Sequence, residues 1–260
     1  MDLKKLAYSL AAALPICSII RILQIVFWVE YSNGFYFSGK EFLGNLCLVL
    51  IAFICGALSF FSYKIEKISV IIPKRDWVLA VASVIVSITL FRELFGENLP
   101  MTMLASQVLL LKLTTAFTAV YFLIFALKCI INFKMIPLLH IMPIIYATIK
   151  TVFSFINLSS LALISDNILL LASYCSLMLF FISYGKLYNG IKEKGFKKYL
   201  ATSIATIVIT ITASLPNLII NIFGKEPYIH TNTNVLITLL AFGVFVMVFA
   251  YKTMNKKEHI

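Results

Sequence analysis

Eight apolar runs, each near the ~20 residues that a bilayer-spanning helix needs, take up most of the chain and alternate with short segments rich in lysine. They fall at about 6–29, 42–63, 77–95, 104–127, 135–156, 167–185, 199–222 and 232–251. The second, sixth, seventh and eighth are free of charge, whereas the first, fourth and fifth each carry one basic residue, Arg21, Lys112 and Lys150. The third has only fifteen uncharged residues, from Trp77 to Phe91. This pattern predicts an all-α, polytopic integral membrane protein of about eight transmembrane helices.

Composition supports that reading. Apolar residues make up 61% of the 260 and charged residues 13%, with a mean hydropathy of +0.98. A soluble domain has roughly 45–50% apolar and about 25% charged residues. So much apolar surface is not buried inside a chain of this length, and the bilayer is its expected surrounding. The start, Met1-Asp2-Leu3-Lys4-Lys5 before an apolar run, has the charge order of a signal peptide but no small-residue cleavage site. An uncleaved first span is therefore expected.

The net charge of +11 comes from lysines clustered between apolar runs, which is a topology signal rather than a nucleic-acid footprint. With the N-terminus inside, sixteen of the 22 basic residues fall in cytoplasmic segments and three, Lys40, Arg92 and Lys225, on the opposite side. The split predicts eight spans, cytoplasmic termini and a cytoplasmic basic loop at 186–198, to which anionic lipid or a partner protein would be drawn.

Matched helix endings predict an internal duplication. The second span ends Leu58-Ser59-Phe60-Phe61-Ser62-Tyr63-Lys64 and the sixth Leu179-Phe180-Phe181-Ile182-Ser183-Tyr184-Gly185-Lys186. The fourth closes Phe125-Ala126-Leu127-Lys128 and the eighth Phe249-Ala250-Tyr251-Lys252. Two four-helix halves, 1–134 and 135–260, are expected, related by an axis along the membrane normal.

Charges inside spans cost about 2.5–3.5 kcal/mol each on insertion scales, so they mark the candidate site. Arg21, Lys112 and Lys150 all lie ~9–12 Å below the outer surface by helical rise. Gln24 shares a face with Arg21, and Glu41 and Asp166 head the helices that follow those of Arg21 and Lys150. Two readings follow. Either these six residues line an outward-opening basic pocket for a carboxylate or phosphate, or Arg21–Glu41 and Lys150–Asp166 pin helix pairs and lysines snorkel outward.

Other features bear on packing. Thr202, Thr206, Thr210 and Ser214 form a small polar stripe suited to close helix contact. Pro216-Asn217, with Asn221, is expected to break the seventh span, and Pro137 and Pro143 to kink the fifth. The five cysteines have no CxxC spacing and read as packing residues. His140, His230 and His259 stand apart, and no HExxH, GxSxG or glycine-rich phosphate cradle is present. Acidic residues are expected to be absent from the spans, which argues against a carboxylate proton relay or an aspartyl protease. Neither an enzyme, a cofactor nor a metal is expected.

Arg21, Gln24, Glu30 and Gly34-Phe35-Tyr36, with the stretch from Lys150 through Asp166 to Lys186, resemble an uncharacterised family of small polytopic membrane proteins from Gram-positive bacteria. The resemblance implies a bacterial cell-membrane origin and brings no activity with it. The expected function is ligand handling, as a transporter or substrate-binding membrane subunit for a small anionic solute. The alternative is a sensor-like or accessory subunit that packs with a partner membrane protein.

Overall fold

In a computed structural model, residues 3–31, 34–65, 75–96, 105–131, 133–160, 165–188, 195–224 and 232–254 are described. They form eight α-helices: α1 (Leu3–Trp28), α2 (Glu41–Tyr63), α3 (Trp77–Gly96), α4 (Ala105–Ile131), α5 (Ile141–Ser160), α6 (Ser165–Tyr188), α7 (Gly195–Phe223) and α8 (Thr233–Met254). All eight are long and apolar enough to cross a membrane. No strand occurs among the described residues; the one extended pairing is an isolated bridge, Val29 to Tyr36. Side chains such as Phe42, Phe53, Trp77, Phe95 and Phe155 stand exposed on the outside of the bundle, a surface far more apolar than a water-facing one.

The helices close a ring, α7–α8–α3–α4–α5–α6 and back to α7, and the α1–α2 hairpin docks on α7 from outside. The two halves expected from the sequence are therefore interleaved: α2 packs along α7, and α3 along α8. Aromatic rings fill the ring's interior. Phe122 and Phe125 of α4 meet Phe181 and Tyr184 of α6 and Phe242, Phe245 and Phe249 of α8, with centroids 5.1–6.4 Å apart and mostly edge to face. Such pairs contribute about 0.5–1.5 kcal/mol each beyond area burial.

α7 is the shared element, and its small polar stripe explains why. Thr202, Thr206, Thr210 and Ser214 each donate to the carbonyl four residues earlier, which hides their hydroxyls within the helix. Thr206 also reaches the Ser176 carbonyl on α6 at 2.9 Å. Gly243 of α8 lies so close that a Cβ there would meet Thr210 Oγ1 at 2.7 Å. The packing reading of the stripe thus fits the contacts, since small residues let backbones approach.

Two proline expectations are corrected. α7 runs unbroken from Gly195 to Phe223 through Pro216. Pro137 opens a 3-10 turn (Pro137–His140), and Pro143 sits in the first turn of α5, where no intrahelical N–H is required. Both prolines start α5 rather than kink it below Lys150.

We term the end where α1 begins and α8 finishes the basal end, and the opposite one the distal end. At the basal end Asp76 caps α3, accepting from the N–H groups of Val78 and Leu79 at 3.0 and 3.1 Å, and pairs with Lys252 of α8 at 2.7 Å. Burial pushes the Asp76 carboxyl up, but its bonds to Lys252, Leu79 and Val78 outweigh that and leave it below the ordinary value. A lowered folded value means that the stabilisation is present above the unfolded value of about 3.9 and lost as pH falls through the folded one. Asp76→Ala should cost about 1 kcal/mol, as N-cap deletions do. The cost, read by denaturant unfolding in detergent, should be full above about pH 4 and shrink as pH falls further.

Candidate functional site

Buried polar side chains of α1, α6 and α7 meet a backbone carbonyl of α2 around Arg21, towards the distal end. On α1, Cys17, Arg21 and Gln24 repeat at helical spacing and share the inward face; Cys17, Arg21 and Gln24 are all at 0% exposure. Arg21 Nη2 is ion-paired with Asp166 Oδ1 in the first turn of α6, and Nη1 donates to Gln24 Oε1 and to Ser165 Oγ, the latter at 3.2 Å. Gln24 Nε2 donates to the Gly44 carbonyl of α2 at 2.7 Å and to the Tyr36 hydroxyl at 2.9 Å. Asn217 of α7 donates to Asp166 Oδ1 and to the Ala213 carbonyl, both at 3.1 Å. Four helices and one loop therefore meet on a single guanidinium–carboxylate pair.

The loop from α1 to α2 is shaped to deliver Tyr36. Glu30 N–H donates to the Phe35 carbonyl at 2.8 Å and Phe37 N–H to that of Trp28 at 3.0 Å, folding the chain back on itself. Gly34 supplies a φ of 75°, in the left-handed region that glycine accepts at no steric cost. The Tyr36 ring then lies on Gly44, where a Cβ would collide with it. Burial raises the Tyr36 phenol above its ordinary value, so it stays protonated.

A second pair lies inside the helix ring. Lys150 Nζ of α5 is 2.5 Å from Glu93 Oε1 of α3. Glu93 is fully buried and Lys150 nearly so. Tyr146 donates from one turn earlier on α5 to Glu93 at 3.3 Å, and its ring lies 5.9 Å below the Lys150 ammonium. Each pair joins a residue of the first half with one of the second.

Several expectations change here. Arg21 is held by Asp166 and not by Glu41, which stands exposed at the head of α2. Lys112 is exposed on α4 and lies outside both networks, because α4 buries the face carrying Leu111, Thr114, Thr115 and Thr118. Acidic residues do occur within helices: Glu93 and Asp166 are both buried. Buried carboxylates are thus present within the helices, contrary to the absence on which a carboxylate proton relay was discounted. Glu93, Tyr146, Ser165 and Tyr36 were not singled out as site residues from the sequence. A signal for Glu93 existed, since Leu79, Ser83, Val86, Leu90 and Glu93 recur at spacings of four and three on one buried face of α3.

The Arg21 cluster retains unused hydrogen-bonding capacity. Arg21 Nε and the side-chain oxygen of Asn217 are buried and have no partner among the described residues. The Nε–H edge of an arginine is one that donates to carboxylate or phosphate in forked geometry. No group of three or more metal-ligating side chains occurs among the described residues. Comparison with protein-family models, with curated proteins and with solved structures finds no match to the chain.

Proposed function

We propose that the protein is a multi-pass membrane protein of the bacterial cell membrane that transports or binds a small anionic solute at its distal, outward side. In this reading both termini and the basal end face the cytoplasm, as the distribution of lysines favours. Arg21 and Lys150 are the cationic positions, and Asp166 and Glu93 hold them when the solute is absent. The observation that carries the reading is the Arg21 cluster. A buried guanidinium with a free Nε–H beside a carboxylate partner suits the exchange of one carboxylate partner for another. Buried ionisable residues of membrane helices are costly and mark solute or ion pathways more often than chance packing.

The alternative, an accessory subunit that acts by packing with a partner membrane protein, is favoured by a different observation, the dense aromatic filling of the helix ring. A thermal-shift panel of carboxylates and phosphates on the detergent-purified protein separates the two. Solute binding predicts a rise in Tm with at least one anion class that grows with its concentration. The rise should persist in Lys112→Gln, because Lys112 lies off the site. Absence of any shift across the panel would favour the accessory role.

A further inference from the structure

The α1 and α8 helices both lie against α7 at the basal end, and the space between them is not filled. A cavity of about 420 Å³ results, floored by Ile204 and Ile207 of α7 and walled by α1 and α8. Its floor is buried while Ala7, Ala11 and Tyr251 on its flanks are exposed, so it opens sideways from the bundle. Alanines make the room: Ala7 and Ala11 stand one turn apart on α1 and face Ala250 of α8. Among the described residues the lining carries no charged side chain, and the Tyr251 hydroxyl is its one polar side-chain group.

Water needs two to four polar partners in such a space, and one hydroxyl does not supply them. An empty space of this size would forgo the dispersion contacts of all its walls. Hydrocarbon satisfies the walls without polar partners. The stretch from Leu6 to Leu14 on α1 gives the groove a length of ~12 Å at 1.5 Å per residue, which suits a segment of an extended acyl chain. Charge at the mouth then selects the headgroup. Lys5 is exposed beside Leu6, and Lys252 follows Tyr251 with its ammonium engaged by Asp76. Lysines at this level attract anionic lipid.

We propose that the α1–α7–α8 groove binds one acyl chain of an anionic phospholipid, with the headgroup phosphate at Lys5. The inference rests on the membrane placement above, with the basal end at the cytoplasmic leaflet, and is independent of the anion site at Arg21. The test adds phosphatidylglycerol or phosphatidylcholine to the purified protein in lipid-free detergent, reads Tm, and follows retained lipid by native mass spectrometry. Wild type should gain several degrees with phosphatidylglycerol and less with phosphatidylcholine, and should carry a one-lipid adduct. Ala11→Phe, which fills the groove, should lose both the gain and the adduct while its Tm without lipid stays at or above the wild-type value. Lys5→Gln should keep the gain but lose the preference between the two lipids. If Ala11→Phe proves unstable without lipid, Ala7→Leu serves as the filling variant. Equal gains in wild type and the filling variant, or no gain with either lipid, would overturn the proposal. A preference for phosphatidylglycerol over phosphatidylcholine that survives in Lys5→Gln would overturn the headgroup assignment.

Discussion

Replacing Arg21 by methionine is expected to destabilise the protein by about 3–5 kcal/mol, the cost of leaving one member of a buried ion pair without its counter-charge. The structural reason is that Asp166 would keep Asn217 but lose its cation, in a region where neither partner is reached by solvent. Gln24 would also lose the donor that orients it, so the Tyr36 and Gly44 contacts loosen and the α1–α2 hairpin is affected as a unit. The converse change, Asp166→Leu, should cost a similar amount. The double variant Arg21→Met with Asp166→Leu should recover most of the loss, since replacing a buried pair by apolar residues of similar volume is often neutral. A double-mutant cycle by denaturant unfolding in detergent measures this, and additive losses would contradict it.

The second large effect belongs to Lys150. Lys150→Met should cost about 3–5 kcal/mol by stranding the Glu93 carboxylate inside the helix ring. Adding Glu93→Gln should return most of it, because a neutral amide can still accept from Tyr146. Tyr146→Phe alone should cost less, about 0.5–1.5 kcal/mol, as for one hydrogen bond whose acceptor keeps another partner. Thermal unfolding of the three variants and wild type in one detergent gives the comparison. A Lys150→Met protein as stable as wild type would show that Glu93 is not held by Lys150.

The helices were legible because the physics behind them is local: an apolar run of spanning length declares itself without any knowledge of neighbours. Ends moved by a few residues, as for α7, which begins at Gly195 rather than at 199. Which helix meets which was not legible, because lipid-compatible residues look alike whether they face a neighbour or the bilayer. Arg21 and Lys150 could be singled out because an isolated charge in an apolar run is conspicuous. Their partners could not. Asp166 sits 145 positions from Arg21, and its choice over Glu41 depends on α6 rather than α2 presenting its first turn to that depth. Glu93 follows the exposed Arg92 close to the end of α3, where a charge reads as a boundary. Only the seven-residue rhythm of the buried face separates the two. Lys112 shows the same rule from the other side, since counting from Leu111, Thr115 and Thr118 places it outward.

The most direct test of the central claim, that Asp166 occupies Arg21 in place of a solute anion, is the anion affinity of Asp166→Asn. Asparagine is nearly isosteric and removes only the charge that competes for the guanidinium. Isothermal titration of the best anion from the thermal-shift panel into wild type and Asp166→Asn, at one pH and ionic strength, gives both dissociation constants. The account predicts that Asp166→Asn binds at least tenfold more tightly, about 1.4 kcal/mol. Equal or weaker binding by a folded Asp166→Asn protein would contradict it and leave the Arg21–Asp166 pair a purely structural clamp.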